Sequence, residues 1–212
     1  MTITSHGEEL ILDEERALYL PKYSLLAISD LHLGKSAHFR KAGVQVPATI
    51  AQSDLERLSL LLQKYNPQTL LINGDMFHHG LNSDIVEFTT WRKQFSKVKF
   101  LLVKGNHDRL ENTDYAKMNI DIHEPSYCLA PFCFIHDAPQ NTRAELYPIS
   151  GHIHPGVSIK GKAKQRLKFP CFYFGRDYAV LPAFSTFTGL YNIYPKTDER
   201  IFAVTPNRVV EV

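Results

Sequence analysis

A chain of 212 residues that is 44% hydrophobic can bury a sizeable core, and its length fits one domain of the larger kind, expected to span 1–212. Its formal net charge of +2 is too small to imply nucleic acid, so only the distribution of charge speaks to that. Residues 1–12 carry neither a basic start nor a long apolar segment, and no run approaches membrane-spanning length. These signs set the expectation of a protein neither exported nor membrane-embedded, and hence cytoplasmic. Cys128, Cys133 and Cys171 lack C-x-x-C spacing and read as reduced core residues of a cytosolic protein.

In chain order, 8–12 and 17–20 flank the acidic turn Asp13-Glu14-Glu15 and predict an opening hairpin without evident chemistry. The apolar run 25–28 predicts a buried strand ending in Ser29-Asp30-Leu31-His32. In an extended segment Asp30 and His32 share a face and can hold one divalent ion. A basic, loop-like stretch follows over 33–43. Pro47 is placed to open a helix in which Leu55, Leu58, Leu62 and Tyr65 recur at helical spacing until Asn66-Pro67 ends it.

Leu70-Leu71-Ile72 then runs into Asn73-Gly74-Asp75, again a strand delivering a carboxylate. A second helix is predicted over 83–95, with Ile85, Phe88, Trp91 and Phe95 on one side, which makes the single tryptophan a core residue. The run 100–103 ends in Gly105-Asn106-His107-Asp108 and has the character of a strand buried on both faces. The strand, helix, strand, helix, strand rhythm argues for an α/β fold with parallel strands. A short helix over 109–118 and a short strand over 120–123 follow. The run 132–135 delivers His136, and 146–149 delivers Gly151-His152-Ile153-His154-Pro155. Beyond Pro155 helical periodicity disappears, and 156–159, 167–174, 178–181, 201–204 and 208–212 predict strands.

Five strand ends thus supply Asp30, His32, Asp75, Asn106, His107, His136, His152 and His154. Carried by one sheet, they would converge. Two divalent ions roughly 3.5–4 Å apart need a carboxylate between them and nitrogen or oxygen ligands on each side, and Asp75 is the natural bridge.

The motifs D-x-H, G-D, G-N-H-D, a lone His and G-H-x-H, in this order over 24–155, resemble the calcineurin-like metallophosphoesterase family. The resemblance implies a four-layer α/β/β/α sandwich of two mixed β-sheets flanked by helices. It implies that Asp30, His32 and His154 hold one metal, that Asn106, His136 and His152 hold the other, that Asp75 bridges, and that His107 is the catalytic imidazole. Asp137 stands where much of the family has Gly after the lone His, which leaves His123 as the rival of His136.

Within the family, Asp30 to Lys35, Phe39-Arg40, Gly43, Pro170-Cys171-Phe172 and Leu181-Pro182-Ala183-Phe184 resemble the ligase-associated DNA damage response endonucleases of the PdeM type. That resemblance implies manganese as the metal, with iron, zinc, nickel or cobalt as alternatives. It also implies a nuclease or phosphodiesterase associated in DNA repair with an ATP-dependent DNA ligase, a helicase and an exonuclease-like protein. Ser185 and Leu190 depart from the glycine-rich late loop of that group.

The residues themselves add a basic stripe. Lys160, Lys162, Lys164, Arg166 and Lys168 occupy every second position and would share one strand face beside the site, able to neutralise several phosphates of a DNA substrate. A turn at Gly161 would break the stripe and leave a solvated hairpin. Lys35, Arg40, Lys41 and Arg109 could extend the patch, whereas His38, His78 and His79 read as supporting or surface residues. The expected function is a two-metal phosphodiesterase acting as a DNA endonuclease. The alternatives are an enzyme for a nucleotide or other small phosphodiester, and a catalytically silent scaffold.

Overall fold

The computed structural model describes residues 1–35, 39, 43, 50–78, 83–139, 145–160, 165–194 and 196–212. Its first sheet has seven strands in chain order: β1 (Thr2–Ser5), β2 (Glu8–Leu12), β3 (Leu18–Leu20), β4 (Leu25–Ile28), β5 (Thr69–Asn73), β6 (Lys99–Val103) and β7 (Ile120–His123). Pairing is antiparallel from β1 to β4 and parallel from β4 to β7. Parallel neighbours need long crossovers, and these carry α1 (Ile50–Tyr65), α2 (Ser83–Arg92) and α3 (Asn112–Lys117).

The apolar runs of β4, β5 and β6 are explained by burial on both faces. Leu26, Ile28, Leu70, Ile72, Phe100 and Leu102 pack against the helices, while Leu25, Ala27, Leu71, Leu101 and Val103 point to the opposite layer. On α1, Leu55, Leu58 and Leu62 form the buried stripe, and Asn66, at φ 41°, turns the chain off the helix. Trp91 of α2 is buried, as its spacing predicts, and its Nε1–H donates to Ser59 Oγ of α1 at 2.7 Å. The second helix is α only to Arg92, and Lys93–Phe95 tightens into a 3-10 turn.

The second sheet contains β8 (Ser126–Leu129), β9 (Phe132–Ile135), β10 (Tyr147–Ser150), β11 (Pro155–Lys160), β12 (Arg166–Phe174), β13 (Ala179–Val180), β14 (Tyr191–Asn192), β15 (Arg200–Thr205) and β16 (Arg208–Glu211). Its order is β14-β11-β12-β13-β10-β9-β8, with β15 joining β12 and β16 joining β15. It is mixed, since β10 is parallel to β9 and β13 whereas β11 and β12 are antiparallel. Phe132, Phe134, Phe172, Phe174 and Phe202 meet the inner face of the first sheet in one shared core. The outer face carries Val157, Cys171, Tyr173, Val180, Ile201 and Ala203. Among the described residues, the helical side chains of the core lie on the first sheet's outer face.

The cysteine expectation is corrected for one pair. Cys128 and Cys133 stand opposite each other across the β8–β9 hairpin, Cα atoms 4.0 Å apart, and are joined by a disulfide. The alternation that buries Phe132 and Phe134 turns Cys133 outward toward Cys128, which lies exposed on the edge strand. Cys171 is buried as expected, and burial pushes its thiol up to about 12.

Candidate metal centre

Both sheets, not one, deliver the candidate ligands. Asp30 and His32 follow β4, Asp75 follows β5 and Asn106 follows β6, while His136 follows β9 and His152 and His154 follow β10. The two sets are tied together by hydrogen bonds between the sheets. Asn73 Nδ2 donates to the Ile149 carbonyl at 3.1 Å and the Phe184 N–H to the Ser29 carbonyl at 2.7 Å. Within the second set, the Gly151 N–H donates to the His136 carbonyl at 3.0 Å.

Strand alternation does not aim Asp30 and His32, because β4 ends at Ile28. Asp30, His32, Asp75, His152 and His154 all lie in the left-handed region, with φ of 53°, 50°, 49°, 67° and 50°. Such conformations cost of order 1 kcal/mol or more each and persist where surrounding structure imposes them. Each tight turn folds a polar side chain back over the strand ends. Two glycines allow the close packing this demands, since a Cβ on Gly74 would overlap the His136 ring and one on Gly105 would overlap Asp75.

The ligand atoms form two groups. In one, His32 Nε2 and His154 Nε2 are 3.2 Å apart, and Asp30 Oδ1 is 3.5 Å from His154 Nε2. In the other, His136 Nε2 lies 3.4 Å from Asp75 Oδ1, 3.1 Å from His152 Nδ1 and 3.1 Å from Asn106 Oδ1. Asp75 stands between them, with Oδ2 4.0 Å from His32 Nε2. The structure therefore brings in His136 and leaves His123 outside, its ring 4.8 Å from that of Tyr127. The atypical Asp137 reaches His152, its Oδ1 3.5 Å from Nδ1.

The electrostatics fit a divalent cation. Asp30 Oδ1 and His32 Nδ1 are buried without a hydrogen-bond partner among the described residues. Burial lowers His32 to about 3, so it presents a neutral imidazole, aided by the nearby Lys35 charge. Burial raises the Asp75 carboxyl, but the hydrogen bond and charge of His136 and the His107 N–H more than offset this and hold it at about 2. Burial works against protonation of His136, and Asp75 reverses the balance to about 9. A proton on His136 thus holds a place that a metal cation competes for. Imidazole nitrogens, two carboxylates and an amide oxygen suit several first-row divalent metals.

His107 belongs to neither group. It is half-buried, its N–H donates to Asp75 Oδ1 at 2.9 Å, and its ring centroid lies 5.6 Å from that of His32 and 4.7 Å from that of His78. Lys35 is half-buried next to His32; burial lowers its pKa, opposed by Asp30 and Asp75. Arg109 is exposed two residues beyond His107.

In the β11–β12 hairpin Lys160 pairs with Arg166 and Ser158 with Lys168. Directly opposed residues point the same way, so Lys160, Arg166 and Lys168 share a face, but across the two strands of a hairpin and not along one strand. Lys168 Nζ also donates to the Leu190 carbonyl. Lys162, Lys164, Arg40, Lys41, His38 and His79 lie outside the described residues.

Two supporting residues stand in the quoted motif stretches without a role assigned from sequence. Asp108 is buried and accepts from the Met76 and Phe77 N–H groups at 3.0 and 3.1 Å through Oδ1, and from the Gly105 N–H at 2.9 Å through Oδ2. Burial pushes its carboxyl up to about 6 despite those donors. Ser29 Oγ lies 2.5 Å from Asp30 Oδ2, which also accepts the His152 N–H at 3.0 Å. Their signal in the sequence is only membership of, or adjacency to, a ligand motif.

Two mixed sheets with carboxylates and imidazoles at their facing strand ends define a metallophosphoesterase. A family model for calcineurin-like phosphoesterases matches residues 23–194, and the chain belongs to that family. Among solved structures it is similar to the nuclease MPE of Pseudomonas putida, with 28% identity and a TM-score of 0.86 over 100% of this chain and 99% of that one. It also aligns with Yfce, a phosphoesterase from E. coli, at 15% identity and a TM-score of 0.48 over 89% of this chain and 97% of that one. No curated protein matches the sequence.

Proposed function

We propose that this metallophosphoesterase is a two-metal phosphodiesterase that cuts DNA, as an endonuclease in repair. The observation that carries the reading is Asp75, one oxygen toward each histidine group, with the His107 backbone on the same carboxylate. Asp30, His32 and His154 would hold one ion and Asn106, His136 and His152 the other, with Asp75 shared. Two divalent ions there supply positive charge against phosphate oxygens and lower the pKa of a water. Manganese is the metal we favour.

His107 stands beside both groups without belonging to either, which frees its ring to hydrogen-bond a phosphate oxygen or to protonate the departing oxygen. Every motif position carries a competent donor, which argues against a silent scaffold. The cationic ladder of Lys160, Arg166 and Lys168 favours a long polyanion over a small diester. The repair setting and the association with a DNA ligase, a helicase and an exonuclease-like protein rest on the subfamily resemblance, and the cytoplasmic location on the pattern of the sequence.

The test is hydrolysis of a bis-aryl phosphodiester, an aryl monophosphate and supercoiled plasmid by metal-stripped protein reloaded with manganese. His107→Ala should lower kcat roughly 10²–10⁴-fold while calorimetry finds manganese binding intact. Lys160→Glu with Arg166→Glu should weaken plasmid cleavage and reduce the salt slope by about two. Diester turnover with intact plasmid at every salt concentration would give the small-diester reading instead.

A further inference from the structure

The outer face of the second sheet holds a groove of about 360 Å³, within the size range of ligand pockets. Tyr173 and Tyr178 form part of its lining, their ring centroids 5.6 Å apart, and the Tyr173 hydroxyl is anchored by donating to Glu199 Oε1 at 2.7 Å. Tyr191 and Tyr194 line it while remaining 66% and 75% exposed. Large aromatic rings left this open beside a preformed cleft need an occupant with a flat apolar surface.

The groove shares a loop with the metal centre. Ile153, which lines it, is the residue between His152 and His154. Tyr191 pairs with Pro155, and its N–H donates to the His154 carbonyl at 2.9 Å. The edge strand carrying Tyr191 is therefore hydrogen-bonded to the loop that presents a candidate ligand. Lys196 adds a cation to the lining itself. Open tyrosines, an adjacent cation and a phosphoester centre one strand away match a nucleotide, whose base has an aromatic face and whose phosphate is anionic.

We infer that the Tyr173-Tyr178-Tyr191-Tyr194 groove is a nucleobase-stacking subsite that seats a base next to the phosphodiester held at the metal centre. The inference rests on the DNA-directed reading above and adds a place where a base, and not only the backbone, contributes to binding. Stacking tolerates any base, so the subsite raises affinity without imposing sequence.

The experiment uses the manganese-loaded full chain and single-stranded oligonucleotides in which one base at a time is replaced by an abasic residue. The wild type should lose about tenfold in kcat/KM at one or two positions beside the cut. Tyr191→Ala with Tyr194→Ala should shrink that penalty to about twofold or less, and the corresponding pair of Phe substitutions should preserve it, because the ring and not the hydroxyl stacks. As a readout independent of cleavage, 2-aminopurine at the sensitive position should be quenched on binding metal-free wild type and not the double Ala variant.

A flat abasic profile in an enzyme that cuts DNA would overturn the subsite while leaving the proposed function standing. Absence of diester hydrolysis with 2-aminopurine quenching intact would instead fail the proposed function and keep the base site. Dissociation of an oligomer by the double Ala variant, without loss of quenching contrast, would make the groove a contact between copies of this chain and overturn the inference.

Discussion

Asp75 works because it is shared. A buried carboxylate is costly unless opposite charge or donors meet it, and here His136 on one side, His32 on the other and the His107 N–H supply both. The loop carrying Asp75 is held to the loop carrying Asn106 by Asp108, which accepts from N–H groups of both. Asp108→Asn keeps one acceptor oxygen but turns an amide donor toward the donors it should receive. Manganese affinity should fall tenfold or more, measured by titration calorimetry, with far-ultraviolet dichroism unchanged; unaltered affinity would remove Asp108 from the positioning of the site.

At the scale of elements, the acidic turn between β2 and β3, chemically silent in the sequence, is a clamp on α1. Asp13 accepts from Lys64 Nζ at 2.7 Å and the Tyr65 hydroxyl at 2.6 Å in the last turn of that helix, and from the Glu15 N–H at 2.9 Å. Arg57 on the same helix bridges Glu15 at 2.6 Å and Asp54 at 2.9 Å. Burial raises the Asp13 pKa, but the Lys64 and Tyr65 hydrogen bonds outweigh it and leave the carboxyl below its ordinary 3.8. The unfolded chain therefore binds this proton more readily than the folded one, so the contribution is full above about pH 3.8 and is lost as pH falls through the lower folded value. Asp13→Asn should cost about 1–2 kcal/mol near neutrality and flatten the acid limb of a denaturation series. An acid limb unchanged from wild type would refute the clamp.

Across the whole molecule, one core of aromatic and aliphatic side chains joins the two sheets, and the metal centre sits over their shared strand ends. Thermal unfolding should be a single cooperative transition with dichroism and tryptophan fluorescence coincident, as expected of one domain. Manganese at about a hundred times its dissociation constant should add about 2.7 kcal/mol per site and raise Tm, an increase that chelator reverses. Separate transitions for the two sheets would contradict a common core.

Legibility followed how local the physics was. Apolar runs short enough for strands, helical spacing in α1 and α2, and ligand-type residues at strand ends are properties of contiguous sequence, and the structure places them as the sequence reading expects. The edge strands β1, β8 and β14 were not legible, because a short edge strand is defined by its partner and not by its own periodicity. The same holds for the disulfide, since the facing of Cys128 and Cys133 depends on the register of a hairpin whose first strand has no apolar pattern.

By itself the sequence determined the α/β class, the order of the ligand motifs and the chemistry of their side chains, because alternation, helical spacing and donor type are written residue by residue. Only the tertiary structure decided that two sheets and not one assemble the centre, that left-handed turns and not strand alternation aim five of the ligands, and that His136 is included and His123 is not. Those outcomes depend on strand pairing and close packing between segments more than a hundred residues apart, where no local pattern reaches.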